Sequence, residues 1–102
     1  MMKPAGLYMF VDPSVDSARH RAEIETSKIK MLIQGVESVE EGVSMAKKYV
    51  QEGVSIVELC GGFGYRGAKE VSDAVGDKAS VSMSVSQVLD APKLAKILGD
   101  WS

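Results

Sequence analysis

Glu58, Cys60, Gly61, Gly62, Phe63, Gly64 and Arg66 crowd into one short run, Ile56-Val57-Glu58-Leu59-Cys60-Gly61-Gly62-Phe63-Gly64-Tyr65-Arg66-Gly67. An apolar strand pattern there leads into a glycine-rich turn, and a helical pattern follows. That order can bring backbone N–H groups together at a helix N-terminus, where anions bind. The three glycines would free the amides of Gly62, Phe63, Gly64 and Tyr65 to face a ligand. The helix dipole would add roughly 0.3–1 kcal/mol for an exposed anion. Arg66, in the first helical turn, can close on a phosphate or carboxylate. The same glycines equally suit a tight strand-to-helix connection, where positive φ or close packing demands them.

A thiol at a helix N-terminus can be activated as a nucleophile. Glu58 lies two residues before Cys60 and shares its face of the sheet. A carboxylate there opposes thiolate formation, yet it can act as a base or orient a partner. His20 is the single histidine. A Cys60–His20 pair with Glu58 as orienter is the sharpest catalytic arrangement these residues allow. The plainer alternative makes Cys60 a small buried hydrophobe and His20 a surface or capping residue. One Cys and one His make no zinc set. Asp12, Asp16, Glu23 and Glu25 match no metal loop in their spacing. No cofactor is indicated. Gly62 to Gly67 fits G-x-G-x-x-G, but it falls after two strands, and the next strand ends Ser84-Val85-Ser86 without the acid that a dinucleotide ribose requires.

The elements that must position these residues follow from periodicity. Residues 5–11 read as a strand, stopped by Asp12-Pro13-Ser14. Residues 16–22 suggest one or two helical turns capped by Asp16 or Ser17. Residues 23–33 alternate with a period of two and read as one long strand, or as a hairpin turning at Thr26-Ser27 with cross-strand Glu–Lys pairs. Ser38 with Glu41 forms a capping box. Val39, Val43, Ala46 and Val50 then make the apolar face of a helix that Gly53 ends. Residues 54–60 form a strand. A second helix runs from Gly64 to Val75, with Ala68, Val71 and Val75 inward and Gly76 ending it. Residues 79–85 form another strand, with Ala79, Val81, Met83 and Val85 on one side and serines on the other. A strand buried on both faces would not alternate this way, so one sheet face near Ser82 meets solvent, a polar pocket or a second subunit. Asp90 caps a last helix whose Leu94, Ile97 and Leu98 are expected to face the core, and Trp101 follows.

This alternation of strand and helix argues for parallel strands joined by right-handed crossovers. The expected fold is one α/β domain over residues 1–102. Its sheet has four or five mainly parallel strands, in β-α-β-α-β-α order after an N-terminal strand. A ferredoxin-like α+β sandwich is the alternative. Ligands of open α/β sheets sit at the carboxyl ends of the strands. Asp12, Gln34, Cys60 and Ser86 would ring such a site.

The 102 residues are 45% apolar and 25% charged, with a formal net charge of −2. No basic stripe marks a nucleic-acid partner. No apolar run reaches the ~20 residues of a membrane span. Met1 to Val11 reads as a strand and not as a signal peptide. A single cysteine permits no internal disulfide, which suits a reducing, cytoplasmic setting. A thin core and open sheet edges favour a homo-oligomer, with the serine face and Trp101 as contacts. The remaining expected partner is a small anionic metabolite.

The string Glu58-Leu59-Cys60-Gly61-Gly62-Phe63-Gly64 resembles the hallmark of a family of small uncharacterised prokaryotic α/β proteins. The resemblance extends to Asp12-Pro13, His20-Arg21, Ile24-Glu25-Thr26 and Gly35-Val36, and so spans most of the chain. It implies a compact α/β domain and carries no activity or catalytic residue with it. Thr26-Ser27-Lys28 stands where the family often has glycine.

Overall fold

Strand β1 (Ala5–Val11) lies at the centre of the sheet, and its alternation defines the two faces. The computed structural model describes residues 3–101; Met1, Met2 and Ser102 lie outside the described residues. β1 pairs in parallel with β3 (Lys30–Val36) on one side and β4 (Val54–Leu59) on the other. β4 pairs in parallel with β5 (Ser80–Met83), and β2 (Arg21–Glu25) pairs antiparallel with β3. The five-stranded order is β2-β3-β1-β4-β5. Three parallel pairings rule out the ferredoxin-like alternative, in which neighbouring strands run antiparallel.

Residues 23–33 resolve as the hairpin. Thr26 makes its turn work without glycine: Thr26 Oγ1 accepts from the N–H groups of Lys28 (3.2 Å) and Ile29 (3.1 Å). Lys30 then reaches Glu23 at 2.7 Å, as the alternation suggests. The helical turns expected over residues 16–22 shrink to a single turn. His20 N–H donates to Asp16 O at 2.8 Å, and β2 starts at Arg21. Pairing with β3 outcompetes a second helical turn because it satisfies the backbone of residues 21–25 in one step.

Helix α1 (Val39–Gln51) starts where expected, with Ser38 Oγ accepting from Glu41 N–H at 3.1 Å. Glu41 Oε1 in turn accepts from Glu37 N–H at 2.8 Å. Helix α2 (Gly64–Val75) ends at Gly76, whose φ of +60° suits glycine. Both helices pack on one face of the sheet. Leu7, Met9, Leu32, Val36, Val57, Leu59, Ala46, Val71 and Phe63 are buried between them.

The connections explain why only one face is covered. The chain steps from β3 over β1 to β4, and then on to β5, always in the same direction across the sheet. Right-handed crossovers moving one way leave their helices on one side. A helix between β1 and β3 would step the other way and cover the opposite face. That connection carries strand β2 in place of a helix.

One expectation fails. Helix α3 (Ala91–Trp101) does not join the core: every residue from Ala91 to Trp101 is exposed, Leu94, Ile97 and Leu98 included. Its packing is essentially confined to the short 3-10 turn Val88–Asp90 that precedes it. β5 stops at Met83 and the next residues run on extended, so the helix stands off the body. The molecule is 46 Å long against 28 Å in its other dimensions. Helical amphipathicity identifies an apolar face, but not which surface that face will meet.

Leu7 is 1% exposed at the centre of the layer. Leu7→Ala should therefore lower stability by about 2–5 kcal/mol, read as a lower urea midpoint at unchanged slope.

Candidate functional site

The glycine turn joins β4 to α2 at the carboxyl edge of the sheet. Cys60 N–H donates to Met9 O at 2.9 Å and so continues the β1–β4 ladder for one more residue. The chain then bends into a 3-10 turn, Gly61–Phe63. Phe63 N–H donates to Cys60 O at 3.2 Å, and Gly64 N–H donates to Gly61 O. Two of the four amides expected to face a ligand thus bond within the turn itself.

The glycines have separate reasons. A Cβ on Gly61 would lie 3.2 Å from Ser84 O, and one on Gly62 would lie 3.2 Å from Val11 Cγ1. Close approach to the ends of β5 and β1 therefore favours glycine at both positions. Gly64 is different: nothing lies within 4 Å of its would-be Cβ, but its φ of +68° and ψ of 169° fall in a region nearly reserved for glycine. Gly61 and Gly62 themselves are exposed, so the turn meets solvent.

Phe63 anchors the turn. Its ring is 4% exposed and lies against α1, where a Cβ on Gly42 would come within 2.6 Å of it. Gly42 is the gap that admits the ring. Phe63 can thus offer a ligand its backbone alone. Arg66 and Tyr65 are exposed on the first turn of α2.

Glu58 lies on the uncovered face of the sheet, and Cys60, one residue beyond β4, is half-buried and packs against the core. The structure adds Tyr8, which pairs with Glu58 across β1 and β4. Burial, then the charges of Cys60 and Glu58, raise the Tyr8 phenol above its usual value. Sequence reading passed over Tyr8 because a tyrosine in a strand looks like any other apolar position. Only the β1–β4 register brings it beside Glu58. His20 sits elsewhere, in the loop before β2. Its Nδ1 accepts from Asp16 N–H at 2.8 Å, so the ring closes its own loop. No hydrogen bond joins His20 to Cys60 among the described residues. Asp12, at the end of β1, accepts from Ser14 N–H and Ser14 Oγ, both at 3.0 Å. These bonds hold the Asp12 carboxyl below its usual range.

Gln34 was expected at the rim of the carboxyl-edge site and is found in the core. It pairs with Met9 and faces the helices, 1% exposed. Its Nε2 donates to Ser17 O (2.9 Å) and Gly35 O (2.7 Å), while Tyr49 OH donates to its Oε1 at 2.6 Å. Gln34 thereby ties the β1–β2 loop to α1. A polar residue amid the apolar positions of β3 was the available signal for such a network.

A cavity of about 280 Å³ opens at the opposite, amino-terminal edge of the parallel strands, beside Lys3, Glu25, Lys30, Tyr49 and Glu52. Both of its lysines are paired with acids. Lys3 meets Glu25 at 2.6 Å, and Lys30 meets Glu23 at 2.7 Å. The Lys3 bond lowers the Glu25 carboxyl, and the Glu23 bond raises Lys30. Arg21 shares a hydrogen bond with Tyr49 that raises its guanidinium. Glu52, also in the lining, makes no salt bridge among the described residues. Among the described residues, no cluster of three or more His, Cys, Asp or Glu is arranged to hold a metal, and no helix is long and apolar enough to cross a membrane.

The site's geometry sets the following outcomes. Gly64→Ala should cost about 1–3 kcal/mol through backbone strain alone, since no atom meets the new methyl. Tyr49→Phe should cost about 1–3 kcal/mol because it leaves Gln34 Oε1 buried without its donor. Both are measured by urea unfolding. Tyr8 should titrate above the ordinary phenol value of 10.0, and Glu58→Gln should bring it down, read by ultraviolet absorbance. A phenol with a raised folded pKa contributes stability below the unfolded value and loses it as pH rises through the folded one. Tyr8→Phe should therefore flatten the alkaline loss of stability.

Neither the curated proteins nor the solved structures contain a match to this chain. One family model does match, over residues 5–98, and it covers every strand and helix just described except the end of α3. The chain belongs to the Family of unknown function (DUF6506).

Proposed function

We propose that the chain is a homo-oligomeric interaction module, a domain that completes its fold by seating another surface on its uncovered sheet face. The observation that carries this reading is the apolar stripe on that face. Ile24 of β2 is 62% exposed, Met31 and Ile33 of β3 are each 40% exposed, and Ile56 of β4 is 58% exposed. Tyr8 and Phe10 lie between them on β1. Met31 covers Gly6, whose Cβ would meet Met31 Sδ at 2.9 Å, and Phe10 covers Gly35, whose Cβ would meet Phe10 Cζ at 2.8 Å. Contiguous apolar patches of this kind mark interaction surfaces. Sedimentation at micromolar concentration tests the reading. A dimer or larger species is expected, and Ile33→Glu should weaken it. A wild-type chain that stays monomeric at about 100 μM, where association weaker than −5 to −6 kcal/mol would go unseen, sinks it.

A second reading has its own support. The turn 61–67 would hold a small anionic or phosphate-bearing ligand at the N-terminus of α2. It is favoured by the solvent exposure of Gly61 and Gly62 and by the empty space over Gly64, with Arg66 exposed one turn further on. Titration with inorganic phosphate and sugar phosphates should shift the amide resonances of residues 61–66. Unmoved resonances at millimolar ligand would leave the turn as a structural connection.

A further inference from the structure

We infer that the surface seated on the open sheet face is helix α3 of a second copy, exchanged about a two-fold axis so that each chain's α3 closes its partner's sheet. This rests on the homo-oligomeric reading and names its contact. The chain carries two exposed apolar surfaces, the uncovered sheet face and the amphipathic helix α3. Leu94, Ile97 and Trp101 recur at helical spacing and form one stripe, with Leu98 beside them. Trp101 is 79% exposed. An isolated helix of 11 residues is marginal in water, where about 12–15 are needed even for good helix formers. Its order therefore calls for a packing surface.

Several features favour a second copy as the source of that surface. β5 is the edge strand farthest from Ile24, Met31 and Ile33. Gln87 continues the chain in extended conformation (φ −69°, ψ 153°), and no residue of α3 is buried against its own sheet. The charges match as well. Glu58 is the one charged side chain among the strand positions of the open face, and Lys93 borders the helix stripe one turn before Ile97. Lys93 makes a long ion pair, 3.7 Å, with Asp90, which leaves it free to turn towards Glu58 of the partner. The areas are sufficient. At about 150–250 Å² for a large side chain, the exposed fractions of both stripes amount to several hundred Å² each, and two symmetric contacts reach the roughly 1,200–2,000 Å² of a stable interface.

The test uses full-length chains: wild type, Ile33→Glu on the sheet, and Ile97→Glu on the helix, each checked for an unchanged circular dichroism spectrum. Sedimentation should give a wild-type dimer, and each variant should raise its dissociation constant at least about tenfold. Trp101, the single tryptophan, should show blue-shifted emission that moves red as the wild type is diluted through dissociation. The decisive arm mixes the two variants. Exchange leaves one helix–sheet contact of the mixed dimer intact, so the mixture should dimerise more tightly than either variant alone. A monomeric wild type overturns both this inference and the homo-oligomeric reading, whether Trp101 is then exposed or shielded by its own chain. A dimer lost in Ile33→Glu but kept in Ile97→Glu means sheet against sheet, which overturns the inference and keeps the reading. A dimer lost only in Ile97→Glu means helix against helix and also overturns the inference. So does a mixture no tighter than its components.

Discussion

A sheet face is buried only by what crosses it, and in this chain every helical crossover runs over the same face. The steps from β3 to β4 and from β4 to β5 go one way across the sheet, so handedness leaves α1 and α2 side by side. The step that goes the other way, from β1 to β3, is made by a strand. Much follows from that substitution. Leu7, Met9, Val57 and Leu59 point into a dry layer, while Tyr8, Phe10, Ile56 and Glu58, one position along the same strands, point out of it. With a period of two, no strand can serve both faces with the same residues.

The glycine turn is best understood as part of the packing. Phe63 fills the notch that Gly42 leaves in α1, and this fixes where α2 begins. Gly61 and Gly62 then pass close to the ends of β5 and β1, and Gly64 takes a backbone conformation that other residues avoid. Three glycines in four positions thus answer two different demands, close approach and positive φ. The solvent-facing side of the turn remains available to an anion, but less of its backbone is free than the sequence pattern implied.

Polar groups divide the molecule along the same lines. On the helix-facing side, Gln34 and Tyr49 satisfy one another, and the β1–β2 loop is pinned to them through Ser17. At the amino-terminal edge, Lys30 pairs with Glu23 across the hairpin and Lys3 pairs with Glu25, where exposure keeps each pair worth little. On β1, Tyr8 lies beside Glu58 and near Cys60, and burial first, then their charges, raise its phenol. A bordering lysine from outside the chain would find that cluster complementary.

Local chemistry was enough to read most of the elements. The Ser38–Glu41 cap, the stops at Gly53 and Gly76, the hairpin alternation and the serine-lined side of β5 each depend on neighbours in the chain, and each is found in the structure. The boundaries of β4 and β5 came out long, because a strand ends where its partner does. Gln34 was misassigned to the rim because residue type does not reveal which face a register selects. His20 and Cys60 could be named as reactive types, yet their separation depends on strand order. For α3, the sequence determined that the helix is amphipathic and left its docking partner undetermined. Helix formation and capping are settled within a few residues, by hydrogen bonds and side-chain periodicity. The covering of a surface is settled by strand order and crossover direction, which belong to the whole chain.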